Sequence, residues 1–400
     1  MDDRWGKYLG ALPLLKILVT DGANKNTLSI LRHLDHNECR IDITSHLSKW
    51  LSLCSYSRYC ENIIKLNSNP GDLDNYAKEL IQVVEKGNYD VFIPVGLYSN
   101  LAASKYKREI QSYANLIVPD WKYMKIAANK DMTIDLASRI GVPVPKTGVL
   151  TDFGDLQDVT EFPVVIKSSD ESKNFIKYCN NPWELLENYD QLSAKSRTKI
   201  ICQEYIEGFG CGFFGVYYKG KLISYFLHKR LKEFPITGGP SAVAESFFDE
   251  KLYYYGKQLC DALHWNGPIM AEFKYDARMN DYKLIEVNPK LWGSLDLTIE
   301  AGINVPQILI QSALNREIEY KPTYSYIKYR WIFPDESKVL VSKPSIKAIR
   351  DFMTLEPNTL TNIYFTDPLP TMLQVARSLV EGLIIILNSN ARYPHGRHDS

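Results

Sequence analysis

The chain has 400 residues, enough for two or three packed units rather than one domain of common size. Hydrophobic residues make up 45% and charged residues 24%, the balance of a folded globular protein. Its 47 basic side chains match 47 acidic ones, which excludes a global positive field for gathering nucleic acid.

In chain order, residues 14–20 form a short apolar run that ends at Asp21-Gly22, and a helical pattern covers 27–34. Strand, turn and helix in that order open a βαβ unit. A second helix is predicted over 74–86 and a second strand over 90–95, so residues 1–120 read as a small parallel α/β domain. One helix is expected over 122–140, stopped by Gly141, Pro143 and Pro145. Short strands follow at 163–167, 199–205 and 215–218, then a hairpin turn at Gly220 and a strand at 221–225. A strand pair covers 269–275 and 282–287 around a polar turn at 276–281, and helices are expected at 250–263 and 308–314. Residues 315–400 are mixed, and the tail 391–400 lacks apolar periodicity and reads as disordered.

The seven cysteines form no CxxC pair and are odd in number. This argues against a zinc site or a disulfide framework and for a reducing, cytoplasmic compartment. Lys16 interrupts the first apolar run, which reads as a buried strand rather than a signal peptide, and the late run 383–387 is too short to span a bilayer.

Two adjacent strands end in acids: Met270-Ala271-Glu272-Phe273-Lys274 and Leu284-Ile285-Glu286-Val287-Asn288-Pro289. Antiparallel pairing would set Glu272 beside Glu286, and the two-residue strand period puts Asn288 on the face of Glu286. Such a set of hard oxygens suits magnesium. Lys167 closes the apolar strand 164–167, a suitable point charge for phosphate. His228-Lys229-Arg230 precedes Thr237-Gly238-Gly239-Pro240-Ser241, a basic strand facing a glycine turn and hence a candidate anion cradle. Alone, each feature also has an ordinary reading: a solvated strand-end acid or lysine, or a basic hairpin edge.

The order Asn129-Lys130-Asp131-Met132, then 164–167, Gln203-Glu204-Tyr205-Ile206-Glu207-Gly208, Glu272 to Asp276, and Glu286 to Ser294 resembles ATP-grasp ligases. The stretch 228–241 looks most like single-copy relatives of the large subunit of carbamoyl-phosphate synthase, over about residues 14–314. The resemblance implies an α/β and α+β ATP-grasp fold. A pre-ATP-grasp domain would cover 1–120 and the ATP-grasp domain 121–314, with a mobile lid at about 160–225 and a metal-binding sheet at about 226–314. A C-terminal extension would fill 315–400.

It also implies roles. Lys130 and Lys167 would contact the ATP phosphates, with Ser172 and Lys173 substituting for missing glycines in the loop 168–173. Gln203, Glu204, Tyr205 and Ile206 would hold adenine, and Glu207 the ribose. Glu272, Glu286 and Asn288 would bind Mg2+, commonly two ions, for which Mn2+ can substitute. Arg230, Lys290 and His228 would serve the chemical step, and Gly238, Gly239 and Ser241 the substrate. The implied activity joins a carboxylate to an amine through an acyl phosphate, releasing ADP and phosphate. The implied partners are small-molecule or peptide substrates, without nucleic acid or a membrane span, and with a homodimer among the compatible assemblies. Carbamoyl-phosphate formation and a non-catalytic nucleotide-binding regulator are the alternatives.

Overall fold

The computed structural model describes residues 14–173, 175–195, 199–318 and 323–396. Residues 1–13 and 397–400, on which two of the sequence expectations fall in part, lie outside that description.

The first sheet is parallel, in the order β3-β2-β1-β4, from β1 (Leu15–Val19), β2 (Cys39–Ser45), β3 (Asn62–Lys65) and β4 (Val91–Ile93). Ile17, Leu18 and Val19 are all fully buried, as expected of a parallel strand covered on both faces. The second sheet, β5-β8-β6-β7, is antiparallel and joins β5 (Thr147–Leu150), β6 (Val164–Ser168), β7 (Ile176–Cys179) and β8 (Ile200–Glu204). The third has seven strands in the order β13-β12-β9-β10-β11-β14-β15. They are β9 (Gly210–Tyr218), β10 (Lys221–Glu233), β11 (Ser241–Ser246), β12 (Gly267–Asp276), β13 (Asp281–Asn288), β14 (Lys328–Arg330) and β15 (Thr359–Thr361).

The expected lid of 160–225 and the small antiparallel sheet differ at both ends. The sheet begins at Thr147, while β9 and β10 leave it for the large sheet, where β9 pairs with both β10 and β12. Local strand pattern cannot tell these cases apart, because β8 in the small sheet and β9 in the large one are both buried almost throughout and both pair antiparallel with their neighbours.

The helix expected over 122–140 is two helices, Trp121–Ala127 and Lys130–Arg139. Tertiary contacts at the break override the local pattern. The Lys130 amide donates to Ser169 O at 2.8 Å and the Glu171 amide to Ala128 O at 3.1 Å, tying the loop 168–173 to the start of the second helix.

The parallel sheet and the large sheet share one apolar core. It runs from Ile17 and Val19 through Leu291, Trp292 and Leu295 to Tyr329 and Trp331. Asn26 donates to Leu291 O at 3.0 Å, and Ser29 to Asp296 at 2.5 Å. The segment after β13 is thereby fixed against the first helix, Lys25–His33.

Two features of the C-terminal extension depart from expectation. The tail is held in place: Ser389–Arg392 is helical, Tyr178 N donates to His395 O at 2.9 Å, and Lys177 Nζ donates to Pro394 O at 2.8 Å. Residues 368–387 form one 20-residue helix, of which the sequence reading registered only the run 383–387. Its mean hydropathy is 1.4, so by length and composition alone it could cross a membrane, and 28% of that apolar window is buried. Arg377 and Glu381 divide the apolar run, while the prolines fall in the first turn, where they start a helix rather than break it.

Candidate active site

The antiparallel register of β12 and β13 places Glu272 opposite Glu286 and Met270 opposite Asn288. Asn288 Nδ2 donates to Glu286 Oε1 at 3.1 Å, so the three oxygen-bearing side chains do share one face. Four cations surround them. Lys130 Nζ lies 3.2 Å from Glu286 Oε2, and Arg230 Nη2 lies 2.6 Å from Glu272 Oε2. Lys167 Nζ donates to Ile285 O at 3.2 Å, and Lys290 approaches through Glu171, 3.7 Å away. Lys130 also pairs directly with Glu171.

The sequence explains how so much charge fits. β6 is apolar up to Lys167 and carries that lysine to the mouth of the buried sheet, where it is 3% exposed. The break before Lys130 points the second helix's first side chain into the cluster, where Lys130 is buried beside Glu286. Gly210 in β9 leaves space for the arginine cluster: a Cβ there would sit 2.7 Å from Glu233 Oε1 and 3.2 Å from Arg230 Cδ. At the turn after β10, Gly238 has φ +113°, and a Cβ on Gly239 would lie 2.5 Å from Phe234 O. Arg230 Nη1 donates to Gly239 O at 3.3 Å, and the Gly239 amide donates to Glu233 Oε2 at 3.3 Å. The basic strand and the glycine turn are therefore one unit, and Ser241 is buried at the start of β11, opposite Glu233.

Burial pushes the Glu286 carboxyl upward, but Lys130, Lys167 and Lys290 outweigh it and hold it well below the usual carboxylate range. Burial raises the Glu272 carboxyl, and Arg230 only partly offsets this. Burial lowers the Lys167 ammonium to about 8 against the pull of Glu286. Burial and the Arg230 charge hold His228 well below the ordinary imidazole value, hence neutral. His228 Nε2 lies 2.7 Å from Ser294 Oγ, and its ring stacks on Phe214. His228 Nδ1 and Arg230 Nε are buried without a hydrogen-bond partner.

Other expected residues are placed around the cluster. Gln203 is buried, and its amide donates to Thr147 Oγ1 at 3.0 Å. Glu204 N donates to Lys146 O, and its carboxylate receives Lys283 and Arg278. Ile206 O accepts from Lys274 Nζ at 3.1 Å, and that ammonium lies 4.9 Å over the Tyr205 ring. Phe209, just beyond this segment, stacks on Tyr275 with centroids 5.1 Å apart. Glu207 and Lys173 are exposed and outside the cluster, and Ser172 O accepts from Tyr98 at 3.3 Å. Glu171, which lies part-buried between Lys130 and Lys290, and Glu233 and Ser294 have no role assigned from the sequence. No spacing signal marks Glu171, because its position depends on the loop folding back onto Ala128.

The donor set suits a divalent cation and a polyphosphate. Among the described residues no three His, Cys, Asp or Glu side chains form a self-sufficient metal cage. Two carboxylates plus an amide is the pattern that magnesium completes with phosphate oxygens and water. Arg230 Nε, buried without a hydrogen-bond partner, is a donor that a bound anion can use.

Comparison with known proteins agrees with this geometry. Residues 199–333 match the family described as ATP-grasp in the biosynthetic pathway with Ter operon. The chain is 20% identical over 254 residues to D-aspartate ligase of Enterococcus faecium (strain Aus0004). That match covers 55% of this chain and 58% of the relative, so it spans less than two thirds of the relative's length. The fold resembles the biotin carboxylase domain of Hydrogenobacter thermophilus 2-oxoglutarate carboxylase, solved as a dimer with MgADP, ADP and bicarbonate. The TM-score is 0.64 at 17% identity, covering 79% of this chain and 74% of that one. L-amino acid ligase from Bacillus licheniformis aligns with a TM-score of 0.58 at 16% identity, covering 77% of each chain.

Proposed function

From the match of residues 199–333 to an ATP-grasp family and the likeness of the fold to ATP-dependent carboxylases and ligases, we propose that the chain is an ATP-grasp enzyme, an ATP-dependent carboxylate–amine ligase acting through an acyl phosphate. The observation that carries this reading is the convergence of Glu272, Glu286 and Asn288 with Lys130, Lys167, Arg230 and Lys290 in one buried cluster. The similarity to D-aspartate ligase and L-amino acid ligase supports amide formation over carbamoyl-phosphate formation. The complete oxygen donor set supports catalysis over a purely regulatory role.

In this reading Lys130 and Lys167 hold the ATP phosphates, and Glu272, Glu286 and Asn288 hold magnesium. The bound ion neutralises charge on the phosphoryl oxygens. A carboxylate oxygen of the substrate attacks the γ-phosphorus, the bond to ADP breaks, and Arg230 and Lys290 meet the charge spread over the transferring group. An amine then attacks the acyl carbon, its proton leaves, and phosphate departs as the amide forms. Neutral His228 orients the Ser294 side of the site and carries no charge to the reaction. Closing the antiparallel sheet over the cluster keeps water from the acyl phosphate. The backbone and rings of 203–206, with Phe209 and Tyr275 beside them, line the adenine end. The seven free cysteines accord with a reducing, cytoplasmic setting.

The test is a coupled assay of ADP release against a panel of amino-acid carboxylates and amines, beginning with D-aspartate. Release that requires one carboxylate and one amine together supports the proposal. ATP binding with no release for any pair would favour the regulatory reading, and release with bicarbonate and no amine-linked product would favour the carbamoyl-phosphate reading.

A further inference from the structure

The helix Pro368–Leu387 is built inside out. Its buried side is Thr371, Gln374, Ser378, Gly382 and Ile385, and Thr371 Oγ1 and Gln374 Oε1 there lack hydrogen-bond partners. Its outer side carries Met372, Leu379, Val380, Leu383, Ile386 and Leu387, with exposures from 59% to 85%. At 3.6 residues per turn the apolar side spans about 160° and contains no polar residue. Trp50, 78% exposed, and Leu51 extend the patch across the chain, for Arg377 Nη2 donates to Leu51 O. A water-facing helix of a monomer shows the opposite pattern.

We infer that this face is the contact between two copies of the chain, paired helix to helix about a two-fold axis near Leu379. Three observations select that occupant. First, the helix presents eight exposed apolar side chains, the six above with Leu369 and Ile384, a patch of the order of the ~800 Å² per partner of a standard interface. Second, Met372, Leu379 and Ile386 recur at intervals of seven, so reversing the helix about Leu379 maps the row onto itself, as an isologous contact requires. Third, the helix is not presented to lipid. Its two charged residues are tied at the surface to the fold, Arg377 to Leu51 O and Glu381 to Lys338 at 3.0 Å, and one is acidic, so the helix itself carries no basic rim for an anionic headgroup layer. At its start, Asp367 receives Arg32 at 2.9 Å, Ser57 at 2.9 Å and the Arg58 amide at 3.0 Å. The helix is therefore docked lengthwise on the fold, not free to thread a bilayer. An uncharged arc this wide needs an equally apolar surface, and the same helix of a second copy supplies it.

The contact is independent of the ATP reading and is tested on the full chain by light scattering at micromolar concentration. The wild-type chain should have twice the monomer mass. Leu379→Asp should raise the dimer dissociation constant at least about 30-fold, the weight of a central hot spot. Because Leu379 is exposed in the single chain, the circular dichroism spectrum of the variant should stay unchanged. Leu379→Cys should form a disulfide-linked dimer under mild oxidation, since the axis brings the residue against its own copy. A monomeric wild-type chain overturns the inference, as does a dimer that survives Leu379→Asp. A monomer that sediments with phosphatidylglycerol vesicles also overturns it and assigns the face to lipid.

Discussion

Above β12 and β13, the side chains of Lys130, Lys167 and Arg230 are withdrawn from water, whereas along the C-terminal helix Leu379, Leu383 and Leu387 are left in it. The first region buries charge and the second exposes apolar surface, so each departs from the usual partition of a globular chain in the opposite direction. Neither departure stabilises an isolated molecule. Replacing a buried ion pair by well-packed apolar residues is often neutral or stabilising by about 1–4 kcal/mol, and an exposed apolar helix invites association. In the proposed reading both regions are completed from outside: the cluster by phosphate and a divalent cation, the helix by a second apolar surface.

The sharpest way to break this comparison is to remove charge from the cluster. Glu286→Gln keeps the shape and the hydrogen bond with Asn288 while deleting the carboxylate that faces Lys130. Turnover should fall by on the order of 10²–10³, the weight of a preorganised electrostatic group, with an unchanged circular dichroism spectrum. If turnover holds and only the melting temperature drops, the buried acids are structural and the two regions are not alike. A smaller effect is expected from Lys167→Met, which keeps much of the aliphatic stem. A charge-assisted contact is worth about 1.5–3 kcal/mol, so ATP should bind roughly ten-fold or more weakly by calorimetry. Equal affinity in the two proteins would detach Lys167 from the phosphate site.

The two regions also differ in how far the sequence disclosed them. The face of β13 that bears Glu286 and Asn288 is legible in the sequence, because strand side chains alternate with period two and the two residues share a face once the strand forms. The pairing of Glu272 with Glu286 followed from the hairpin around 276–281. The union of Arg230, Glu233 and Gly239 was visible only as a basic strand followed by a glycine turn. Glu171 was not legible, because its place depends on backbone bonds from the loop to Ala128 and Lys130. The boundary of the small sheet was misplaced since β9 is chosen by its partners, β10 and β12, rather than by its own pattern. On the C-terminal helix, Arg377 and Glu381 hid the apolar arc by splitting it into short runs. The order of the tail to 396 is not visible in the sequence, because what holds it is backbone and lysine contacts with β7, not an apolar face.

The central claim is that the buried cluster transfers a phosphoryl group to a carboxylate. With the carboxylate–amine pair that supports ADP release, the direct measurement is the fate of 18O placed in the carboxylate. An acyl-phosphate route must deliver one labelled oxygen to the released phosphate, detected by its mass or by the 31P isotope shift. Phosphate carrying no label, with ADP released and the amide formed, would contradict the account.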